Sequence, residues 1–254
     1  MPFDNLEYIS IQNQSTDFPK HYHETFCISL VKKGIEQMDF DQQSLFTEAG
    51  TISITNPYEV HSNPLISSKN QLDFETIYIS NDLMKYLFGG KNITLKNRQI
   101  SSQKANQLFN VLKQAIDTHE SRTIETALHQ FAEILKHHSK THYSECLEPD
   151  FENLNPIKSY INNQISDKFS LDELAKMANI NKFGFSRKFK ALTGMTPMNY
   201  ILMHKIFSSK KLINKNSELT DIAYDYNFTD MAHFSKTFKR YVGLSPKNYQ
   251  ESLA

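Results

Sequence analysis

The sequence has no tryptophan, only seven glycines, and two cysteines in 254 residues. Cys27 and Cys146 are too few and too far apart for a disulfide framework or a cysteine metal motif, and a reduced cytoplasm fits that usage. No run of 18 apolar residues occurs, so no membrane span is expected. The first ten residues, MPFDNLEYIS, are acidic and lack the apolar core of a secretory signal. No phosphate-cradling glycine loop and no paired nucleophile and base stand out, so the sequence offers little to an enzyme reading. Net charge is zero and announces no general affinity for nucleic acid.

That zero hides an asymmetry. Residues 153–254 hold 15 Lys/Arg against 8 Asp/Glu, a net of +7, and residues 1–152 carry the compensating −7. A basic half joined to an acidic half points to a nucleic-acid-binding domain with a separate partner domain. The periodicity divides the chain similarly. Residues 1–80 read as short strands, with FCISLV at 26–31, GTISIT at 50–55 and LDFETIYIS at 72–80 separated by turn signals. Two amphipathic helices are expected at 101–118 and 122–140, with Leu108, Val111, Leu112 and Ala115 on one face and Ile124, Leu128, Phe131 and Leu135 on the other. Residues 143–154 are acidic, aperiodic and contain Pro149, so they read as a linker. From 155 onward seven short helices are expected, started at Asn155-Pro156, Ser170 with Glu173, Asn181, Thr196-Pro197, Ser217, Thr229 and Ser245-Pro246. Met195, Met198 and Met203 read as core filler. His137, His138 and His142 read as a solvated helix face.

An internal repeat carries the functional reading. Residues 171–197 align with 219–246: Leu174 with Ile222, Ala175 with Ala223, Phe185 with Phe234, Ser186 with Ser235, Phe189-Lys190 with Phe238-Lys239, and Gly194 and Pro197 with Gly243 and Pro246. Each copy has the pattern of a helix-turn-helix, about 171–192 and 219–241. A small alanine lets the second helix cross closely, a polar turn follows, and the second helix places apolar residues at i, i+4 and i+7. Those are Phe185, Phe189 and Leu192, then Phe234, Phe238 and Tyr241, and they face a core. Phe183, Gly184, Arg187 and Lys190 lie opposite in the first copy, and Ala232, His233, Lys236 and Lys239 in the second. A short helix exposing Arg and Lys suits the major groove. A helical domain whose lysines are merely a solvated face is the bland alternative.

The repeat resembles the AraC/XylS family of transcription regulators, whose pattern is met here by Ala223, Asn227-Phe228, Asp230, Phe234, Phe238-Lys239-Arg240, Gly243 and Pro246. Asn227 departs from the family's usual glycine, and asparagine is the next residue best able to take a left-handed turn. Lys205, in the stretch resembling the family's linker helix, stands where that helix often has arginine. The resemblance implies double-stranded DNA as a partner, two major-groove segments read one turn apart on one face, and a homodimer in the cytoplasm. It implies transcription regulation, more often activation, with RNA polymerase as a further partner. Motif matching gives Phe183, Ser186, Arg187 and Lys190 as contacts of the first unit and Met231, Ala232, Ser235 and Lys236 as contacts of the second. Arg187 is the expected base reader.

The N-terminal half, with His21-x-His23 before a strand and Pro57 four residues before His61, resembles the cupin-type barrel that many family members carry as a sensor. Where cupins hold a metal, His21, His23 and His61 would be ligands beside a glutamate. The positions for that glutamate are Cys27 and Ile28 here, and Glu24 comes too early. Three histidines could still hold an ion, but no metal or cofactor is assigned. The histidines either line a pocket for a small-molecule effector, with Glu36 and Tyr58, or hydrogen-bond loop backbone at the barrel mouth. A half that serves only for dimerisation, with no ligand, remains the other reading. The expected architecture is thus an N-terminal all-β cupin-like barrel with two flanking α-helices (1–142), a linker (143–154) and a C-terminal all-α domain (155–254). In that domain a linker helix joins the two helix-turn-helix units. The helices at 101–140 are expected both to cover the barrel and to form a dimer seam.

Overall fold

The computed structural model describes residues 6–66, 71–142 and 151–253. By contact it divides into two compact units, one of residues 1–15, 22–59 and 63–148, the other of residues 16–21, 60–62 and 149–254. Among the described residues no helix is long and apolar enough to cross a membrane.

Strands β1 (Glu7–Ile11), β2 (Phe18–His21), β3 (Phe26–Lys33), β4 (Ile35–Asp39), β5 (Ser44–Glu48), β6 (Ile52–Thr55), β7 (His61–Asn63) and β8 (Asp73–Ile79) are followed by helix α1 (Asn81–Leu87). Then come β9 (Asn92–Leu95), β10 (Gln99–Ile100), α2 (Gln103–Asp117), α3 (Ser121–Lys136) and β11 (Ser139–His142). The strands form sheets of order β1-β8-β3-β6-β10, β2-β7-β4-β5 and β11-β9.

The pleat explains why β3 is buried along six successive residues. Alternate side chains point to opposite faces of a sheet. Phe26, Ile28 and Leu30 join Ile52, Ile54, Ile77 and Ile79 in one apolar cluster with Leu108, Phe109 and Leu112 of α2 and Leu128, Phe131 and Leu135 of α3. The other face is mixed, with Cys27 and Val31 beside polar residues. Ser29 pairs across the ladder with Ser53 on β6 and with Thr76 on β8, and all three are buried.

The helices from residue 151 onward start with Phe151, a 3-10 turn Glu152–Leu154, α4 (Asn155–Asn163), α5 (Leu171–Met177) and α6 (Lys182–Thr193). They continue with α7 (Pro197–Leu212), α8 (Leu219–Asp225), α9 (Met231–Val242) and α10 (Pro246–Ser252). The repeat is legible in the rings. In the first copy Phe189 meets Phe185 at 5.6 Å, Phe151 at 5.6 Å and Tyr200 of α7 at 5.4 Å between centroids. In the second, Phe234 meets Phe228 at 5.1 Å and Phe238 at 5.6 Å, and Phe238 meets Tyr249 of α10 at 5.7 Å.

Several expectations need correction. The second amphipathic helix stops at Lys136, because Ser139–His142 pairs with β9 as a strand; His142 therefore leaves the helix, and its Nε2 lies 3.0 Å from the Thr94 hydroxyl. Val111 and Met198 are exposed, at 43% and 39%, not core residues. Leu154, not Asn155, caps α4, and the Asn155 Oδ1 instead accepts from the Phe151 amide at 3.0 Å. Glu218 and Asp230, not Ser217 and Thr229, stand at the N-caps of α8 and α9. Of the expected linker, 143–150 lie outside the described residues, and Phe151 and Leu154 are fully buried. Helix α1, capped by the Ser80 side chain at 3.2 Å, is additional.

Phe238 is wholly buried between two rings, so Phe238→Ala should destabilise the chain by about 3–5 kcal/mol. Urea unfolding followed by circular dichroism checks this; a loss below about 1 kcal/mol would mean that the ring stack is not a core.

Candidate functional site

Each recognition helix is set by the same local devices. Helix α5 ends with Asn179 at φ 56° and α8 with Asn227 at φ 55°. After each left-handed asparagine the chain closes the same pair of bonds. Ile180 N donates to Ala175 O at 3.1 Å and Asn179 N to Lys176 O at 3.0 Å; Phe228 N donates to Ala223 O at 3.0 Å and Asn227 N to Tyr224 O at 2.9 Å. This is the Schellman closure, and asparagine substitutes in it for glycine. Helix α6 then starts with the Asn181 Oδ1 accepting from Gly184 N at 2.9 Å, and α9 with the Asp230 Oδ1 accepting from His233 N at 2.7 Å. Both end on a left-handed glycine, Gly194 and Gly243.

With Phe185, Phe189, Phe234, Phe238 and Tyr241 buried, the opposite faces are free. Phe183, Arg187 and Lys190 are exposed and Ser186 is half-buried on α6; Ala232 and Lys236 are exposed, with Met231 and Ser235 half-buried, on α9. Phe183 is 72% exposed, and only the Lys182 ammonium, 5.8 Å from its centroid, covers it. All eight expected contacts therefore lie on accessible faces. Lys182 adds a cation at the start of α6, 3.6 Å from Asp172; its place at the first helical position rather than on the outward stripe hid it in the sequence.

Lys205 was legible only as a match to the family's linker helix. It is buried on α7, and its Nζ donates to Asp167 O at 2.7 Å and Tyr226 O at 2.6 Å. The Phe169 ring lies 5.8 Å away. Burial pulls this ammonium down to about 8, against a smaller opposing effect from Asp167.

The five expected effector residues fall into two groups. His21 and His61 are buried, with ring centroids 4.3 Å apart. The His21 Nδ1 lies 2.7 Å from Pro19 O, which fixes that ring and leaves Nε2 for another contact. Burial, then the neighbouring His61, holds the His21 imidazole well below its usual range, so it is neutral at physiological pH. Three imidazoles could hold a transition-metal ion, but His23 belongs to the other compact unit from His21 and His61. His23 also meets Tyr78 edge-on at 5.3 Å, and Tyr58, at φ 61°, packs on Tyr22 at 5.7 Å.

Glu36 belongs to the second group, on β4 of the four-stranded sheet, where it meets Ser53 of the main sheet. It is 2% exposed; its Oε2 accepts from Ser53 Oγ at 2.5 Å and its Oε1 from Asn63 Nδ2 at 3.1 Å. Ser29 Oγ and Thr76 Oγ1, 2.7 Å apart, continue the polar lining. Ser53 and Asn63 escape sequence reasoning because each reads as an ordinary strand or turn residue; the available signal was a serine on the buried phase between Ile52 and Ile54. Burial raises the Glu36 carboxyl to about 7, against smaller lowering by its two hydrogen bonds. A carboxyl raised on folding contributes stability at low pH that is lost as pH climbs through its folded value. The melting temperature of Glu36→Gln should therefore gain on the native chain between pH 5 and pH 8. A difference independent of pH across that range would show that Glu36 does not titrate there.

The comparisons agree with this geometry. Residues 5–141 match the model of the AraC-like ligand binding domain, and residues 174–252 that of a helix-turn-helix domain. The chain is 24% identical over 244 residues to the HTH-type transcriptional regulator YbfI of Bacillus subtilis (strain 168), covering 91% of this chain and 86% of that one. It is 24% identical over 246 residues to the HTH-type transcriptional activator RhaS of Enterobacter sp. (strain 638), covering 92% and 88%. In fold it is similar to ToxT from Vibrio cholerae O395, with TM-score 0.57, 14% identity and 98% of each chain covered. It is also similar to ToxT from Vibrio cholerae strain SCE256 with a bound unsaturated fatty acid, with TM-score 0.58, 14% identity and coverage of 98% and 96%. With a ligand-binding-domain match spanning more than half of its length and paired helix-turn-helix units behind it, the chain belongs to the AraC family of DNA-binding transcription regulators, which are not enzymes.

Proposed function

We propose that α6 and α9 each enter a major-groove segment of double-stranded DNA, and that α6 carries most of the sequence discrimination. The observation that supports this is the contrast between the two outward faces. On α6, Arg187 is exposed and flanked by Ser186 and Lys190, and its planar fork pairs with guanine O6 and N7. On α9, Met231 and Ala232 offer apolar contact and Lys236 a point charge, which suit thymine methyls and phosphate.

In the same reading the barrel binds a small-molecule effector through His21, His23, Glu36, Tyr58 and His61. The polar lining of Ser29, Ser53 and Thr76 around the Glu36 carboxyl favours an effector that forms hydrogen bonds. Such a ligand acts only through different affinities for two states of the protein. The relatives named as activators favour activation with RNA polymerase as a partner, and the cytoplasm is the compartment where that happens. A groove of about 240 Å3 along α2 and α3, with the exposed Val111 among polar residues such as Arg122, Thr126 and Gln130, favours a homodimer seam there.

Selection of randomised duplex DNA by the chain, with sequencing of the bound pool, tests the DNA reading. Arg187→Ala should relax one guanine position by about 1–3 kcal/mol and leave the others intact. Lys236→Ala should weaken binding to all sequences alike and lower the salt slope by about one. A motif unchanged in Arg187→Ala, or one relaxed by Lys236→Ala, would reverse the assignment.

A further inference from the structure

We infer that Lys205 and Asn227 are positioning residues that lock the two helix-turn-helix units into one fixed geometry, so that the chain discriminates by the spacing between half-sites as well as by their sequence. The inference rests on the reading that both recognition helices contact DNA.

The two copies of the repeat are not equivalent at their turns. Asn179 and Asn227 occupy the same turn, with φ within one degree and the same backbone closure. The turn alone needs no more than a residue that tolerates the left-handed region, and glycine does so most readily. Yet the two side chains differ in what they reach. The Asn227 Nδ2 donates to Ser166 O at 2.8 Å, 61 residues back in the chain. The Asn179 side chain makes no hydrogen bond among the described residues. Asn227 therefore does something that the turn does not require: it ties the turn in front of α9 to the segment that leads into α5.

Lys205 ties the same two places from a third. One donor of its ammonium goes to Asp167 O, beside the Ser166 carbonyl that Asn227 holds, and another to Tyr226 O, beside Asn227 itself. Three stretches distant in sequence, 166–167, the middle of α7 and 226–227, thus converge on one buried cation. A charged group desolvated in this way costs free energy unless its hydrogen bonds are well made, and an apolar side chain could fill the volume. What an apolar residue could not do is hold a backbone carbonyl of the segment that leads into the first unit and one at the turn of the second at fixed distance. Tyr241 Oη, donating to Asn199 O at 3.2 Å, adds a second tie between α9 and α7, so Lys205 and Asn227 act on a joint already restrained at its other side.

A fixed joint has a measurable consequence. One extra base pair between half-sites turns the second groove segment by about 35° and moves it by about 3.4 Å. Rigid units cannot follow that change, whereas units joined loosely can, at the cost of lower effective concentration at the second site.

The test uses the full chain and the duplex recovered by selection, the same duplex with one base pair inserted between half-sites, and a duplex carrying the first half-site alone. Anisotropy gives the affinities, and thermal melting confirms the fold of every variant. The native chain should lose about tenfold or more on the inserted duplex. Asn227→Gly, which keeps the turn, should cut that penalty to about threefold or less while leaving half-site affinity unchanged. Lys205→Met should do the same or more, Lys205→Arg should restore the native penalty, and Asn179→Gly should not change it. A native-like penalty in folded Asn227→Gly, or equal losses on full and half-site duplexes, would overturn the inference. A chain that bound both half-sites no better than random DNA would instead count against the reading of two DNA-contacting helices.

Discussion

A twelve-residue helix that buries phenylalanine or tyrosine on successive turns leaves one continuous face for solvent, and the DNA-binding part of this chain depends on that division. Phe185 and Phe189 on α6, with Phe234, Phe238 and Tyr241 on α9, are all buried, and Phe189, Phe238 and Tyr241 meet rings of neighbouring helices. The hydrophobic gain fixes the rotation of each helix about its axis. Once that rotation is fixed, the outward position of Arg187, Lys190 and Lys236 follows without further device. The caps and left-handed turns then set where each helix begins, which places Phe183 and Met231 at the leading ends. Function here is the remainder of a packing problem.

The barrel solves a related problem with the opposite polarity. Its main sheet turns apolar residues outward, under α2 and α3, and polar residues inward. A sheet needs one buried apolar face to be stable, and the helices supply the cover. The inner face can thereby carry Ser29, Ser53 and Thr76, and Ser53 meets a carboxyl from the second sheet, Glu36 of β4. Burial raises the carboxyl of Glu36 there, while Ser53 and Asn63 satisfy its two oxygens. His21 follows similar logic: buried, neutral, and held in orientation by the Pro19 carbonyl.

Much of this was written in the sequence, for identifiable reasons. The repeat was readable because burial and turn chemistry recur at matched positions, and Ala175 with Ala223 or Gly194 with Gly243 carry one physical role each. The interior strands were readable because FCISLV and GTISIT are rich in β-branched residues. The ends were harder. Ser217 and Thr229 look as good as Glu218 and Asp230 for a cap one residue later, and only the backbone decides. Val111 and Met198 were misplaced because a helical stripe gives a direction, not the extent of the neighbour that covers it. Ser53, Asn63 and the convergence of Ser166, Asp167, Lys205 and Asn227 depend on long-range pairing, which no local pattern encodes. The presence of the histidines was visible, but the approach of the His21 ring to that of His61 was not.

The central claim is that two similar helices of one chain read two segments of the same DNA face. Hydroxyl-radical footprinting of the full chain on a selected duplex addresses it directly, since it maps backbone protection at single-nucleotide resolution. The account predicts, per chain, two protected patches with centres about 10 base pairs apart, so that both face one side of the duplex. A single patch, or two separated by about half a turn, would contradict it, because the rigid core that aligns α6 and α9 would then not be what the DNA meets.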